Sequence, residues 1–207
     1  MPGEFRIGVL ASGRGSNLQS ILDACDDGRI DGRVVVVVSD VAEAYALERA
    51  RRRGIEAVYH DPGRFRTKLE PEREAALAEL LLDREVQLVC MAGFMRVIHE
   101  PLLNAFPGRI MNIHPSLLPA FPGLHVQQQA LDYGVKIAGC TVHFANGGVD
   151  AGPIICQGAV EVAEDDTAET LAARILEVEH QLYPRAIQLF IDGRLRVEGR
   201  RVRVQPE

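Results

Sequence analysis

Two side chains that could stabilise a developing negative charge, Asn112 and His114, lie two positions apart in segment 109–114, which predicts a short strand. Residues two apart on a strand share a face, so the amide and the imidazole would point the same way. Pro115 removes a ladder donor and should end the strand there. The pair would then stand at a strand's carboxyl end, where open α/β sheets bind ligands. A histidine packed in the core is the alternative interpretation.

A carboxylate that could complete this pair, Asp150, lies in the glycine-rich segment 146–153. Such a residue more often forms a turn, but an Asp150 that reaches His114 would favour an imidazolium able to act as general acid. Asn112 would then donate a hydrogen bond to an oxyanion. These residue types predict acyl transfer without a covalent enzyme intermediate, because Ser116 lacks a nucleophile-elbow sequence and no cysteine is adjacent.

A glycine-rich loop, Ser12 to Asn17 (Ser-Gly-Arg-Gly-Ser-Asn), separates the first apolar run from the first helical pattern. At such a junction the backbone N–H groups and the helix dipole converge on an anion, which predicts a phosphate site. Ser16 and Asn17 could add side-chain donors and Arg14 could add charge. The loop is not a Walker A motif, because Gly-Lys-Ser/Thr is absent.

Two other interpretations of this loop stay open. A dinucleotide site would use Asp40, at the end of the second strand, as the acid that binds ribose, although Leu18 stands where the third glycine belongs. A purely structural glycine turn is the other interpretation.

A third motif, Ala-Gly-Phe-Met-Arg-Val-Ile at 92–98, follows an apolar run at 86–91. Backbone groups there could bind the edge of a flat heterocycle while apolar side chains line the pocket. A turn packed into the core is the alternative.

The elements that must position these motifs follow from the apolar pattern. Runs apolar on both faces predict a parallel sheet covered on both sides, with strands at 5–11, 33–39, 56–59, 86–92 and 109–113. Longer runs at 137–145 and 154–162 predict antiparallel pairing in the C-terminal half. A final helix should begin at Asp166 or Thr167, with Glu169 completing a capping box for Asp166, and reach about Ile191. A hairpin is expected at about 193–204.

The alternation of strands and helices predicts an α/β fold with a mostly parallel central sheet and flanking helices. The composition of the 207 residues, 47% hydrophobic and 25% charged, predicts one domain over 1–207. A net charge of −6 argues against a nucleic-acid partner.

The sequence predicts a cytoplasmic protein with no membrane partner, because it shows neither a secretory signal nor a run approaching the roughly 20 apolar residues of a membrane span. The four cysteines are widely spaced without a CxxC pair, so neither a metal site nor a disulfide framework is expected. A homodimer is compatible with the sequence.

Five ordered motifs give the chain a close resemblance to the phosphoribosylglycinamide formyltransferase family, folate-dependent transferases of purine biosynthesis, from about Arg6 to Arg194. They are VLASGRGSNLQSIL, MAGFMRVI, MNIHPSLLPAFPGLH, GCTVHFANGGVDAGPII and VEHQLYP. The resemblance implies a Rossmann-like formyltransferase fold. It implies an N-terminal half that binds the ribonucleotide phosphate and a C-terminal half for folate binding and catalysis.

The implied reaction moves the formyl group of 10-formyltetrahydrofolate, a co-substrate, to the amine of glycinamide ribonucleotide through a tetrahedral intermediate and without a metal. By resemblance, the catalytic residues are Asn112, His114 and Asp150. The residues implied for ribonucleotide binding are Gly15, Ser16, Asn17 and Glu179, and those for folate binding are Arg66, Met95, Arg96, Val97, Ile98, Asn112 and His143.

For some of these residues a purely structural role is the alternative interpretation. Glu179 could lie on a solvated helix face, and His143 could pack beneath Asp150. The family arginine that binds folate has three candidates here, Arg64, Arg66 and Arg73, of which we favour Arg66.

Two other functions remain as alternatives. A formyltetrahydrofolate hydrolase could use a similar Asn, His and Asp with water as acceptor, but would be expected to carry an added N-terminal module. A methionyl-tRNA formyltransferase would carry an added C-terminal domain. An NAD-dependent oxidoreductase built on the glycine loop and Asp40 is the alternative from another class.

Overall fold

One mixed sheet, flanked by helices on both faces, organises residues 4–206, which the computed structural model describes. The strands are β1 (Phe5–Leu10), β2 (Gly32–Ser39), β3 (Glu56–Tyr59), β4 (Leu88–Met91), β5 (Ile110–His114), β6 (Ile137–Phe144), β7 (Ile154–Glu161), β8 (Leu195–Glu198) and β9 (Arg201–Val204). The helices are α1 (Ser16–Asp26), α2 (Tyr45–Arg52), α3 (Pro71–Asp83), α4 (Glu100–Ala105), α5 (Val126–Tyr133) and α6 (Ala168–Ile191).

The strand order is β3-β2-β1-β4-β5-β6-β7-β9-β8. Strands β1 to β5 are parallel, and the direction reverses at β6, which pairs antiparallel with both β5 and β7. The terminal hairpin of β8 and β9 joins the edge at β7. The predicted α/β fold, with a mostly parallel central sheet and antiparallel C-terminal strands, is therefore confirmed.

The parallel strands are apolar on both faces because each face has its own core. Ile7 and Val9 of β1 point into a core shared with α1, α2 and α6. Leu10 points into the opposite core, which α3 and α4 cover. Gly8 shares that second face, where an added Cβ would lie 3.0 Å from the Leu81 side chain and 3.1 Å from that of Val86, so a larger residue would require these side chains to move.

The structure confirms Thr167, one of the two predicted caps of α6, but not the predicted capping-box pair. Thr167 is the N-cap and forms a reciprocal capping box with Thr170, in which each hydroxyl accepts a hydrogen bond from the other residue's backbone N–H. The expected pair of Asp166 with Glu169 is wrong because the cap lies one residue later. The Asp166 carboxylate instead accepts from the backbone N–H of Ala163 at 2.7 Å.

A buried tyrosine fastens α6 to the centre of the sheet. The hydroxyl of Tyr183 lies 3.0 Å from the carbonyl oxygens of both Met91 and Met111. These carbonyls belong to β4, which precedes the turn at 92–98, and to β5, which carries Asn112 and His114. No helix within residues 4–206 combines the length and apolar character needed to cross a membrane.

Candidate active site

The structure brings Asp150 to His114. The Nδ1 atom of His114 lies 3.4 Å from Oδ2 of Asp150, and both side chains are largely buried. The other ring nitrogen, Nε2, donates to the backbone carbonyl of Phe121 at 2.9 Å. Both ring nitrogens therefore face acceptors, and an imidazolium could donate to each of them.

Asn112 and His143 form a cross-strand pair beside this contact, because β5 and β6 place them directly opposite each other. Nδ1 of His143 donates to the carbonyl of Phe144 at 2.9 Å, which leaves Nε2 facing Asn112 and Asp150. Nδ2 of Asn112 lies 3.2 Å from that Nε2 and 3.4 Å from Oδ1 of Asp150. The amide thus links the second histidine to the same carboxylate.

Opposing influences act on the Asp150 carboxyl. Burial alone raises its pKa, but His143 at 3.8 Å, a hydrogen bond from the Gly123 backbone N–H at 2.9 Å and the proximity of His114 together bring the pKa below its ordinary value. The group is therefore held as a carboxylate at neutral pH.

Across residues 4–206, no three His, Cys, Asp or Glu side chains are arranged to hold a metal ion.

The loop carrying Asp150 folds tightly against the end of β6. Asp150 itself has φ 48°, in the left-handed region that aspartate tolerates better than most residues. A Cβ on Gly152 would lie 1.7 Å from the Phe144 carbonyl oxygen, so a side chain is impossible at that position. The glycines around Asp150 therefore serve to return the chain over the face that carries Asn112 and His143.

The glycine loop after β1 leaves the start of α1 open. Gly15 is the N-cap, with φ 69°, and a Cβ there would lie 2.9 Å from the Cβ of Ala46 on α2. No side chain caps α1, so the backbone N–H groups of its first turn, including those of Ser16 and Asn17, have no intrahelical partner. This geometry suits a bound anion.

Glu179 reaches this helix end from α6. Its carboxylate accepts from Nδ2 of Asn17 at 2.7 Å, and the residue is only 5% exposed. Burial raises the pKa of Glu179 to about 7, against the opposing effect of the Asn17 hydrogen bond. The alternative of a solvated helix face is therefore wrong. Oδ1 of Asn17 is buried without a hydrogen-bond partner in the described part of the chain.

The segment after β4 combines an exposed methionine with buried neighbours. Met95 is 56% exposed, whereas Ile98 is 3% exposed and packs into the core below. Val97 donates its backbone N–H to the carbonyl of Thr67 at 2.8 Å, which places the segment around Arg66 alongside the turn.

The side chain of Arg96 is directed into the protein. Its Nε lies 2.5 Å from Oδ2 of Asp40, and its Nη1 donates to the backbone carbonyls of Phe65 and Arg66. The Asp40 side chain is only 2% exposed. A ribose-binding role for Asp40, on which the dinucleotide alternative depended, is therefore wrong: protein donors already occupy the carboxylate.

The three candidate arginines differ in their partners. Arg64 pairs with Glu70 at 3.0 Å and Arg73 with Asp61 at 3.1 Å. Arg66 is exposed and forms no ion pair with any acidic residue between positions 4 and 206.

Two backbone groups of this site were missed by sequence reasoning, the carbonyl of Phe121 and the N–H of Gly123. Both belong to the Phe-Pro-Gly segment after β5, and they contact His114 and Asp150 respectively. The turn-forming composition signalled a bend, but not which backbone atoms would face His114 and Asp150.

Comparisons with known proteins show the family to which the chain belongs. The family model described as "Formyl transferase" matches residues 5–187. The chain is 42% identical over 196 residues to the phosphoribosylglycinamide formyltransferase of Escherichia coli, covering 93% of this chain and 90% of that protein. The crystal structure of glycinamide ribonucleotide transformylase 1 from Symbiobacterium toebii superposes with a TM-score of 0.95 at 59% identity, covering 100% of this chain and 96% of that one.

Longer and more distant relatives also match. The chain is 44% identical over 190 residues to the trifunctional purine biosynthetic protein adenosine-3 of Drosophila melanogaster, which covers 91% of this chain but only 14% of that protein. A formyltetrahydrofolate deformylase from Pseudomonas syringae has a TM-score of 0.90 but 24% identity, so it shares the fold alone. By its family match and by relatives that it covers almost completely, this chain belongs to the formyl transferase family.

Proposed function

We propose that this protein transfers the formyl group of 10-formyltetrahydrofolate to the amine of N1-(5-phosphoribosyl)glycinamide. The observation that carries the proposal is the convergence of Asn112, His114 and Asp150, with His114 3.4 Å from the carboxylate. An amide donor, an imidazole and a buried carboxylate suit an oxyanion that forms at a formyl carbon. Relatives named phosphoribosylglycinamide formyltransferase and glycinamide ribonucleotide transformylase support the acceptor, and formyl folate is the co-substrate expected of the formyl transferase family.

The acceptor would bind at the start of α1. Its phosphate would accept hydrogen bonds from the backbone N–H groups of Gly15, Ser16 and Asn17, supported by the helix dipole. Glu179, hydrogen-bonded to Asn17, would face the ribose and glycinamide end. The buried and unpaired Oδ1 of Asn17 supplies a further acceptor for a ligand N–H or O–H.

The formyl donor would bind along the turn after β4. The backbone of Met95, Arg96, Val97 and Ile98 would contact the heterocycle, with Asn112, His143 and the Asp150 loop on its far side. Arg66, which lacks an acidic partner in the described chain and lies beside this turn, would bind a carboxylate of the folate.

The chemistry proceeds by direct transfer. The neutral amine attacks the formyl carbon, a C–N bond forms, and the carbonyl oxygen becomes an oxyanion that Asn112 and His114 stabilise through hydrogen bonds. Collapse of the tetrahedral intermediate breaks the bond from carbon to N10 of the folate. The amine then loses a proton and N10 gains one, with water as the carrier between them.

His114 must exchange one partner to act. Because its Nε2 donates to the carbonyl of Phe121, the formyl oxygen would replace that carbonyl while Asp150 keeps its contact with Nδ1. Asp150 would then fix the ring's orientation and compensate its positive charge.

The proposal divides the single domain into an N-terminal half for the ribonucleotide phosphate and a C-terminal half for folate and catalysis. Cys25, Cys90, Cys140 and Cys156 are all free thiols, which favours a reducing compartment such as the cytoplasm. All proposed site residues come from one chain, so a homodimer is compatible with the site and unnecessary for it.

The decisive experiment follows loss of 10-formyltetrahydrofolate with and without glycinamide ribonucleotide. We expect turnover only when both are present, with formylglycinamide ribonucleotide as the product. Folate release that is independent of the ribonucleotide would contradict the transferase and support a hydrolase.

A further inference from the structure

Asp40 connects two parts of the proposed site. It follows β2 directly, and its two carboxylate oxygens accept from different segments: Oδ1 from the hydroxyl of Ser12 and Oδ2 from Nε of Arg96, each at 2.5 Å. Ser12 opens the glycine loop that leads to the phosphate site. Arg96 belongs to the turn that would bind the folate.

The network continues at both ends through backbone atoms. The hydroxyl oxygen of Ser12 accepts from the backbone N–H of Met95 at 2.8 Å. Nη1 of Arg96 donates to the carbonyls of Phe65 and Arg66, each at 2.6 Å. Four segments that are distant in the sequence are thereby joined around one buried ion pair.

We propose that Asp40 and Arg96 are positioning residues that hold the Met95–Ile98 turn and the segment around Arg66 in the geometry that binds formyl folate. The inference rests on the proposed function. Arg96 would act through the backbone atoms that it holds, leaving Arg66 as the cation available to a ligand carboxylate.

The backbone pairing between the Met95–Ile98 turn and segment 65–68 is short. Between the turn and segment 65–68, the ladder consists of one isolated bridge, Lys68 with Val97. A planar guanidinium bound to a carboxylate and two carbonyls fixes direction as well as distance, which a single bridge cannot do. Because the segments are ordered before the ligand arrives, binding loses less conformational entropy.

The test uses a double variant, Asp40→Asn with Arg96→Met. Removing one partner leaves an uncompensated buried charge and destabilises the fold, whereas removing both charges avoids that penalty. The matched control is Glu48→Gln with Arg52→Met, the same chemical change at an ion pair on the exposed surface of α2. A third variant, Arg96→Lys, keeps the charge but loses the planar fork.

Calorimetric titrations with tetrahydrofolate and with glycinamide ribonucleotide separate the two sites. For the Asp40/Arg96 double variant we expect an affinity for tetrahydrofolate about tenfold lower, an affinity for the ribonucleotide within about twofold of wild type, and a nearly unchanged melting temperature. The surface control should resemble wild type in all three measurements. Arg96→Lys should also lose folate affinity, because charge without the fork does not hold the two carbonyls.

Unchanged folate affinity in a folded double variant would overturn the inference while leaving the proposed function intact. Equal loss of both affinities with a lowered melting temperature would show a general structural role and would also overturn it. Wild-type protein that binds no tetrahydrofolate would instead contradict the proposed function itself.

Discussion

At the scale of single residues, Asp150 had two possible roles, in a turn or as a functional acid. Its type and glycine-rich surroundings predicted a turn at least as strongly as a functional acid. In the structure Asp150 combines the two: its backbone is in the left-handed conformation of a turn, and its carboxylate contacts Asn112, His114 and the Gly123 backbone. Sequence reasoning proposed the catalytic trio, but the distance between His114 and Asp150 depends on a loop path that no local pattern encodes.

Replacing His114 by alanine tests the proposed role of the imidazole. Because that role belongs to the transition state, turnover should fall on the order of 10³-fold while the ribonucleotide Kd changes little. Steady-state rates and calorimetric titration measure the two quantities. The control is His60→Ala, at a half-buried residue outside the cluster whose Nε2 lies 2.8 Å from the carbonyl of Arg73. Parallel loss of turnover and binding would indicate a structural histidine instead.

The buried carboxyl of Glu179 makes stability depend on pH. Burial raises its pKa from 4.5 to about 7, so the folded protein retains this proton between those values while the unfolded chain releases it. Its contribution to stability is therefore present below about pH 4.5, declines as pH rises to about 7, and is flat above that, a change on the order of 3 kcal/mol.

Denaturant unfolding from pH 5 to pH 8 checks this dependence. Glu179→Gln should flatten the part of the profile that belongs to this residue, because the amide has no proton to release in that range. Glu177→Gln, at an exposed position on the same helix, should leave the wild-type profile unchanged. Identical profiles for both variants would argue against the raised pKa.

At the scale of elements, the glycine loop shows which features of the fold can be predicted from the local sequence and which cannot. The positions of Gly13 and Gly15 predicted a loop that opens a helix, and the uncapped start of α1 agrees with that prediction. The packing of α2 against the loop could not be predicted, because it depends on Ala46 arriving from a separate element. For the same reason the dinucleotide alternative gave Asp40 a ribose to bind, although its partners Ser12 and Arg96 come from other strand ends.

Replacing Gly15 by alanine should weaken ribonucleotide binding about tenfold or more, because φ 69° is strained for a side chain and the new Cβ would meet Ala46 at 2.9 Å. Titration with glycinamide ribonucleotide measures the effect. Gly13→Ala is the matched comparison, since its Cβ would meet nothing within 4 Å. Equal affinities for the two variants would show that the Gly15 conformation does not matter for the site.

At the scale of the whole molecule, the class and most strand positions were predictable because β1, β2 and β4 are apolar on both faces. The reversal at β6 was anticipated from longer runs and turns, but its register was not. That register matters most for function, since it places His143 opposite Asn112. Helix α6 was also predicted, whereas its contacts with the glycine loop and with the centre of the sheet are tertiary and cannot be predicted from a local sequence pattern.

Tyr183→Phe tests the link between α6 and the sheet. Removing the hydroxyl leaves the carbonyls of Met91 and Met111 without this donor, which should cost about 1–3 kcal/mol of unfolding free energy. Urea denaturation measures the change. Tyr133→Phe, at a tyrosine that is 79% exposed, should change stability far less. Equal effects would mean that the buried hydroxyl contributes no specific stabilisation.

The hydrogen bond between Asn17 and Glu179 has a consequence for folding, because it joins residues 162 positions apart. A nascent chain can form the glycine loop early, but it completes this pocket only after α6 has been synthesised and has docked. The acceptor substrate would therefore bind the finished molecule in preference to any intermediate lacking α6, and by mass action would stabilise it. Cellular ribonucleotide would then act as a late folding ligand that holds the first and last helices together.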